Sequence, residues 1–394
     1  MTGPPSPSGR WDAGRGAARA RLPALEADAY LNTGGSGPLP DLAAQAIRGM
    51  VESQLGRGRM SAAAVDAGRV RQAALRSAIA GVLGCPPSEV AIAQSSTHAM
   101  NVVIWGIGLA PGDHVVTTNM EHPGLMVPLA MAVVRAGASL GIVDVGDGAG
   151  PLADLVAAAC TPRTRLVALS HVSWMTGAVL DVAGAASAAR DVGAFTLVDG
   201  AQGAGAVPVD PRGLGIDAYA MPAQKWLLGP EGLGALWLAR EHQDRIAVTV
   251  AGYETGEDHG WDGAVRMHPD ARRFEASTFP EMLLPGWTAS LEWLGSLGWD
   301  RIHRDTRVAA AACREALRDV PGVVLDPPGE SSSGLVAFSV PGHSPEAVAG
   351  ALAARGVIVR PLPEPGGLRA SCGFFTNAAD IERLAGGLAE VTAC

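Results

Sequence analysis

The sequence predicts an α/β protein in which a mostly parallel sheet is covered by helices, followed by a smaller α+β domain. Two observations support this prediction. First, short runs of β-branched and aliphatic residues alternate with longer stretches rich in Ala and Leu, which is typical of parallel sheets with helical crossovers. Second, this alternation stops after about residue 240, where a polar segment, a long helical stretch and several short strand-like runs follow.

Seven apolar runs are predicted to form the strands of the large sheet, because each is short and bounded by turn residues. They are 89–94, 114–119, 139–145, 165–173, 195–200, 217–224 and 233–239. Towards the C-terminus the predicted strands are GVVLD, GLVAFSV, GVIVR and GLRASCGFF, and a helix follows them. Ligands of parallel sheets bind beyond the carboxyl ends of the strands, so functional residues are expected where each run ends.

The same patterns predict three segments. Residues 1–25 are rich in Pro, Gly, Ser, Ala and Arg and are expected to form a flexible tail with a short helix. Residues 26–273 are expected to form the large domain, whose N-terminal segment packs on the small domain. Residues 274–394 are expected to form the smaller C-terminal domain. The polar segment 253–273 lies at the boundary.

Composition excludes several classes of protein. The 394 residues include 30 basic and 39 acidic side chains, a net charge of −9, and a nucleic-acid binder would instead show a basic stripe. No apolar run reaches the roughly 18 residues of a membrane span, and the N-terminus has no apolar core like that of a secretory signal. The five cysteines are sparse and lack paired spacing, which suits a reducing compartment. We expect a cytoplasmic protein with no nucleic-acid or membrane partner and no metal site.

One residue stands out by its rarity. Of the 30 basic residues, Lys225 is the only lysine, and the others are all arginine. Arginine stays protonated at any usable pH, whereas a lysine whose pKa is depressed becomes a neutral, nucleophilic amine. The alternative is that one lysine persists by chance in an Arg-biased composition.

Polar residues cluster at the predicted strand ends around this lysine. The strand 114–119 is followed by His122, the strand 195–200 ends in Asp199, and Lys225 follows the strand 217–224. The segment AQSSTHAMN (93–101) opens a helix with Ser and Thr, and a helix N-terminus binds phosphate through its free N–H groups. An amine, a carboxylate, an imidazole and a phosphate cradle at one sheet edge match the needs of pyridoxal 5′-phosphate (PLP).

Each of these residues also has an ordinary explanation. Asp199 can be a helix cap, His122 a loop histidine, and the Ser-Ser-Thr segment a plain N-cap. The segment GAQGAG (200–205) has its glycines in the reverse of the dinucleotide-binding order, which argues against a Rossmann-type nucleotide binder. The PLP hypothesis therefore rests on the ordered set together with the single lysine. A non-catalytic PLP protein using the same lysine is a further alternative.

Longer segments resemble a known family. VDGAQGAGAVPVD (198–210) together with QKWLLGPEGLGALWL (224–238) resembles the core motif of class V aminotransferase-type enzymes, which are PLP-dependent enzymes of fold type I. YLNTGGSGPLP (30–40), RFEAST (273–278) and LRASCGFF (368–375) resemble further blocks of that family. The resemblance spans almost the whole chain. It implies a fold-type-I α/β architecture with a seven-stranded large sheet, and a homodimer with shared active sites.

The resemblance also implies roles for individual residues. Lys225 would form the Schiff base and carry protons, Asp199 would pair with the pyridine nitrogen, and His122 would stack on the ring. Further cofactor contacts are expected from Ser96, Thr97, Gln202 and Gln224, and from Thr278 of the second subunit. The substrate is expected to contact Arg369, Trp174 and Asn32, with the Arg369 fork holding its carboxylate.

Two positions depart from the family pattern. Relatives commonly carry Ser-x-His before the lysine, where both side chains grip the phosphate, and here Pro222 and Gln224 stand at those places. Proline has neither an N–H nor a hydroxyl, so one donor is lost, while Gln224 can still donate. Many relatives have Asn after the HVS motif, whereas this chain has Trp174.

The loop before Arg369 bears on the type of reaction, because in some relatives it carries a catalytic cysteine. Cysteine desulfurases of this family use a loop cysteine, and the loop PLPEPGG (361–367) has none, so a desulfurase is disfavoured. Cys372, after the block, is expected to be a buried thiol. The motifs look most like cysteine and cystine C–S lyases and natural-product enzymes, including those of antibiotic pathways, that act on cysteine S-conjugates. We therefore expect a C–S β-lyase that acts on cysteine or a cysteine S-conjugate and releases thiol, pyruvate and ammonia. A class V aminotransferase and an isopenicillin N epimerase-like enzyme are the alternatives.

Overall fold

The computed structural model describes residues 14–276, 278–326, 333–363 and 366–393. Its main sheet has seven strands, each of which overlaps one predicted run. They are β2 (Val90–Ala93), β3 (His114–Thr118), β4 (Ser139–Val143), β5 (Thr164–Ser170), β6 (Phe195–Asp199), β7 (Ala218–Pro222) and β8 (Gly234–Leu238). The predicted α/β class and mostly parallel seven-stranded sheet are confirmed.

The strand order explains how the site is assembled. The sheet runs β2-β8-β7-β6-β5-β3-β4, and only β8 is antiparallel to its neighbours. Strands β7, β6, β5 and β3 are therefore neighbours whose carboxyl ends meet at one edge. The chain leaves β3 towards His122, β6 ends at Asp199, and β7 is followed by Lys225. The topology thus brings residues about 100 positions apart in sequence to one place.

Helices cover both faces of this sheet. One face packs on α4 (Ala62–Leu83), α7 (Leu152–Ala159), α8 (Val182–Asp191) and α9 (Leu284–Leu297). The other packs on α5 (Ser96–Gly106) and α6 (Pro123–Ala136). Because both faces are covered, the central strands are largely apolar, and every residue of β6, β7 and β8 is buried. Helix α3 (Asp41–Arg57) packs against α9.

A second sheet lies in the C-terminal part. Its order is β11-β12-β15-β14, formed by Val324–Leu325, Leu335–Ser339, Leu368–Ser371 and Arg360–Pro361, and all neighbouring pairs are antiparallel. It packs with α10 (Trp299–Arg318), α11 (Pro345–Ala353) and α12 (Ala378–Thr392) around a separate core. The boundary near residue 273 stays a prediction, and α9, which follows it, packs on helices α3 and α4.

The N-terminal segment lies against the C-terminal part. Residues 1–13 of the expected tail are outside the described residues, whereas α1 (Gly16–Arg19) and α2 (Ala24–Ala27) are short helices. Arg19 forms an ion pair with Asp380 at 2.6 Å. Strand β1 (Ala29–Tyr30) then pairs in parallel with β13 (Val357–Ile358).

The polar segment 253–273 contains a hairpin of β9 (Gly256–His259) and β10 (Val265–Met267), most of whose residues are exposed. Within the described ranges, none of the helices combines the length and apolar character needed to cross a bilayer.

Candidate active site

A cavity of about 250 Å³ opens at the sheet edge where the carboxyl ends of β7, β6 and β3 meet. Most of the residues expected to bind cofactor or substrate line it, namely Ser96, Thr97, His122, Trp174, Asp199, Gln202, Gln224, Lys225 and Arg369. The structure therefore brings together side chains from the large sheet, helix α5 and strand β15. Their roles in binding stay predictions.

Lys225 lies just beyond β7, in a turn whose backbone is closely packed. A Cβ on Gly37 would lie 2.3 Å from the Lys225 carbonyl oxygen, so only glycine fits at that position. Burial lowers the pKa of the Lys225 amine to about 8; nearby Asp199 opposes this shift, while Arg369 and Arg360 add to it. The amine consequently has a far larger neutral fraction at neutral pH than an ordinary lysine.

Asp199 is a buried carboxylate at the end of β6. Its Oδ1 accepts a hydrogen bond from the Ala201 backbone N–H at 2.9 Å. Burial raises the pKa of this carboxyl, and the Lys225 amine and the Ala201 hydrogen bond oppose that effect. A buried carboxylate with so few hydrogen-bond donors favours a cationic partner at the cavity.

His122 is held in one orientation by the helix that follows it. It is the N-cap of α6, and its Nδ1 accepts a hydrogen bond from the Gly124 N–H at 3.0 Å. Burial, followed by the charges of Lys225, Arg360 and Arg369, lowers its pKa to about 4. The ring is thus neutral at neutral pH, and because Nδ1 is an acceptor, the proton is assigned to Nε2. Its edge meets Trp174, with ring centroids 4.9 Å apart.

The N-terminus of α5 forms part of the cavity lining. Ser95 is the N-cap, with its hydroxyl accepting from the His98 N–H at 3.0 Å, and Ser96 and Thr97 are the first two helical residues. Gly234 of β8 lets this turn approach the sheet, because a Cβ there would lie 2.7 Å from the Ser95 carbonyl carbon. N–H groups free of intrahelical partners at such a helix start suit a phosphate group.

Arg369 is another charged residue of the cavity lining. Arg369 of β15 is fully buried, and its Nη1 donates to the Trp174 carbonyl at 2.6 Å. Its Nε and Nη2 have no hydrogen-bond partner among the described residues. Burial, followed by the charge of Arg360, lowers its pKa to about 9. Buried donors without partners are costly, so this guanidinium favours an anionic ligand.

Gln202 is largely committed to the protein. Its Nε2 donates to the Gly34 carbonyl at 2.8 Å, and its Oε1 accepts from Trp226 Nε1 at 2.9 Å. The second hydrogen of its amide nitrogen is the group left for a ligand.

Two expected site residues lie outside the cavity lining. The Asn32 side chain packs against Gly35, where a Cβ would lie 2.7 Å from its Oδ1. Thr278 is exposed, with its Oγ1 3.4 Å from the Tyr253 hydroxyl.

Two residues escaped the sequence-based prediction. Arg360 of β14 lines the cavity and pairs in register with Arg369. The sequence gives little indication of this role, because an arginine at the end of a strand such as GVIVR is usually exposed to solvent. Glu121 is buried directly before His122, and the histidine drew attention away from it. A carboxylate between an apolar strand and a site histidine was the available signal.

The cavity fits PLP by the chemistry of its groups. It combines one amine of lowered pKa, one buried carboxylate, a helix N-terminus and a guanidinium with free N–H groups. Residues 29–384 match the model of the family described as Aminotransferase class-V. The chain belongs to this family. It is a PLP-dependent enzyme of fold type I, and it acts on an amino acid.

Two curated relatives are described as cysteine desulfurases. The chain is 29% identical over 332 residues to a probable cysteine desulfurase of Xylella fastidiosa strain 9a5c, covering 81% of this chain and 79% of the relative. It is 29% identical over 384 residues to the cysteine desulfurase CsdA of Escherichia coli K12, covering 93% of this chain and 94% of CsdA.

Solved structures extend the comparison. C-DES, described as a cystine C–S lyase in complex with its product cysteine persulfide, is 29% identical with a TM-score of 0.90, covering 94% of this chain and 99% of C-DES. A C-DES variant in this fold holds glycine covalently linked to its PLP cofactor. The E. coli CsdA structure is 26% identical with a TM-score of 0.86, covering 96% of this chain and 98% of CsdA.

The expected reaction is corrected by these relatives. The motifs led us to expect a β-lyase of cysteine or a cysteine S-conjugate, and the Cys-free loop 361–367 led us to disfavour a desulfurase. This expectation is wrong because the curated relatives are cysteine desulfurases. The physical reason is that the loop bears on which group accepts sulfur. The cofactor chemistry depends instead on cavity residues such as Lys225 and Asp199, and no described residue of 361–367 is part of the cavity lining.

Proposed function

We propose that this chain is a PLP-dependent desulfurase that removes sulfur from cysteine. The observation that carries the proposal concerns Nε and Nη2 of Arg369, which find no hydrogen-bond partner in the part of the chain that the structure describes. They lie in the cavity that also holds Lys225 and Asp199. An α-amino acid presents a carboxylate to such a guanidinium and its amino group to the cofactor. The similarity to cysteine desulfurases supports cysteine as that amino acid.

Substrate binding is assigned to Arg369 and Arg360. The free N–H groups of Arg369 would hold the carboxylate, and Arg360 beside it adds a second positive charge. Trp174 fixes the Arg369 fork through its carbonyl and closes the cavity against His122. Binding of an anion here also relieves the mutual repulsion of two neighbouring guanidinium groups.

Cofactor binding is assigned to the start of α5 and to polar residues at the strand ends. Ser96 and Thr97 would hold the phosphate at the start of α5, Gln224 would add a donor, and Asp199 would hold the proton on the ring nitrogen. When bound, PLP supplies an electron sink for negative charge that develops on the substrate α-carbon. Pro222 supplies no donor, so the phosphate depends more on α5 than in relatives with Ser at that position.

Proton transfer is assigned to Lys225. With a pKa of about 8, roughly a tenth of this amine is neutral at neutral pH, which is enough to accept a proton from a bound substrate. His122 is neutral and donates through Nε2, so it can contact the ring without adding a charge.

The sulfur acceptor is proposed to be a thiol outside this chain. Among the described residues no cysteine lines the cavity, and the loop 361–367 has none. Cys313 and Cys372 are buried in the core of the C-terminal part. The balanced reaction is cysteine plus a thiol giving alanine plus a persulfide, in which the C–S bond breaks, an S–S bond forms and the thiol proton ends on alanine.

Assembly and location are also proposed. A homodimer in which Thr278 of one subunit reaches the phosphate of the other is supported by the exposure of Thr278 away from its own cavity. A cytoplasmic location is supported by the free thiols of Cys85, Cys160, Cys313 and Cys372. A role in antibiotic biosynthesis stays a prediction.

Product analysis tests the proposal. We expect the PLP-loaded enzyme to convert cysteine into alanine, with persulfide appearing on an added small thiol and alanine formation rising with its concentration. The Lys225→Ala variant is the control for cofactor-only chemistry. Pyruvate and ammonia in place of alanine, or alanine formation that ignores the added thiol, would contradict the proposal.

A further inference from the structure

A second carboxylate is buried behind Asp199. Glu121 follows β3 and is 8% exposed. Three donors hold it: Thr118 Oγ1 donates to Oε1 at 2.7 Å, the Ser170 N–H donates to Oε1 at 3.1 Å, and Ser170 Oγ donates to Oε2 at 2.5 Å. Such a set of short hydrogen bonds fixes the carboxylate in one position.

Ser170 links this carboxylate to the cofactor site. It is the last residue of β5 and lies directly opposite Asp199 in the parallel pairing of β5 with β6. Ser170 and Asp199 both line a small pocket that shares Asp199 and Lys225 with the main cavity. Burial raises the pKa of Glu121 to about 7, its hydrogen bonds oppose the shift, and the charge of Asp199 adds to it.

The surrounding groups provide little positive charge. Asp199 acts on Glu121 from β6, and the Lys225 amine acts on Asp199. On the next strand, Tyr219 stays neutral because burial raises its pKa, and it contacts His171, whose pKa burial lowers to about 4. His122, next in the chain, is neutral as well. Arg360 and Arg369 at the cavity act on Lys225 and His122, and the shifts of the two carboxylates show no effect of either arginine. The Lys225 amine is therefore the positive charge that acts directly on Asp199, and a cationic ligand at Asp199 would add a second.

We propose that Glu121 is a positioning residue that acts through Ser170 and Asp199 to hold the proton on the ring nitrogen of the cofactor. Its negative charge makes Asp199 a stronger proton partner than a lone buried carboxylate. This inference depends on the PLP cofactor and not on cysteine as the substrate, so it can fail while the proposed function stands.

The test uses Glu121→Gln and two cofactors. The affinity of the cofactor-free protein for PLP and for the analogue with C–H in place of the ring nitrogen is measured by fluorescence across pH. We expect Glu121→Gln to weaken PLP binding by roughly tenfold, the equivalent of about one pKa unit, and to leave the analogue unchanged. A merely structural role would weaken both equally, and that outcome would overturn the proposal.

Two further variants separate charge from packing. Thr118→Val removes one hydrogen bond to Glu121 but keeps its carboxylate, so PLP should still bind more tightly than the analogue by the wild-type ratio. Glu121→Asp keeps the charge on a shorter side chain. Its ratio of PLP affinity to analogue affinity should therefore lie closer to the wild-type ratio than to that of Glu121→Gln. If Thr118→Val reduced the ratio as much as Glu121→Gln, the charge of Glu121 would not be the cause.

Wild-type protein gives an independent test should Glu121→Gln fail to fold. Coupling is reciprocal, so a protonated ring nitrogen must lower the proton affinity of Glu121 by as much as Glu121 raises that of the ring. In carbon-13 spectra of glutamate-labelled protein, we expect one glutamate to titrate near neutral pH without cofactor and at lower pH with PLP. A titration that PLP leaves in place would overturn the proposal.

Discussion

At the scale of single residues, electrostatics sets the chemistry of the site. The lowered pKa values of Lys225 and His122 have burial as their first cause, and Arg360 and Arg369 add to both shifts. Sequence reasoning found Lys225 through its rarity and Asp199 through its place at a strand end. It missed Arg360 because its effect depends on the pairing of β14 with β15, which no local pattern reveals.

The rarity of lysine makes the first prediction direct. Lys225 is the only side-chain amine, so Lys225→Ala and Lys225→Arg should both abolish the cofactor adduct that borohydride fixes. When PLP is added to cofactor-free wild-type protein, the initial rate of adduct formation should rise with pH to a midpoint near the lowered pKa of about 8, because the neutral amine is the form that attacks the aldehyde. Mass spectrometry of the reduced protein locates the adduct. A midpoint near that of free lysine would show that burial does not tune this amine.

At the scale of elements, the strands were predicted well because most of them are buried on both faces and are therefore largely apolar, with polar residues mainly at their ends. The hairpin of β9 and β10 was missed as strands, because its residues are polar and mostly exposed and so lack the alternation of a half-buried strand. The start of α5 was predicted from its Ser-Ser-Thr run. The structure adds that the Ser95 side chain is the cap, which leaves Ser96 and Thr97 facing the cavity.

This cap provides a prediction with a matched control. Ser95→Ala should lower the free energy of unfolding by about 1 kcal/mol, the usual loss for an N-cap hydroxyl. Ser344 caps α11 in the same way, with its hydroxyl accepting from Ala347 N–H at 3.1 Å, and is absent from the cavity lining. Ser344→Ala should cost a similar amount in urea unfolding, yet only Ser95→Ala should weaken PLP binding, by several-fold. Equal PLP affinity in the two variants would remove α5 from the phosphate site.

At the scale of the whole molecule, the cavity draws on both parts of the chain. The large sheet supplies Asp199 and the lysine turn, and the C-terminal sheet supplies Arg369 and Arg360. Sequence patterns predicted the order of strands along the chain. They did not predict that the two parts meet at one cavity, because the contact between Arg369 and Trp174 joins residues far apart in sequence. That Arg369 belongs to the site was instead inferred from the resemblance to the family.

In the proposed dimer, a second chain also contributes a residue to each active site. If Thr278 serves the partner's phosphate site, a Lys225→Ala chain mixed with a Thr278→Val chain forms dimers in which one site carries both defects and the other neither. With random pairing at equal amounts, roughly a quarter of all sites are then intact. At PLP concentrations too low to saturate Thr278→Val, the mixture should exceed the mean activity of the two parent dimers after subunit exchange, and sedimentation should give twice the chain mass. Activity equal to that mean would place Thr278 outside the shared site, and an active monomer would exclude the shared site altogether.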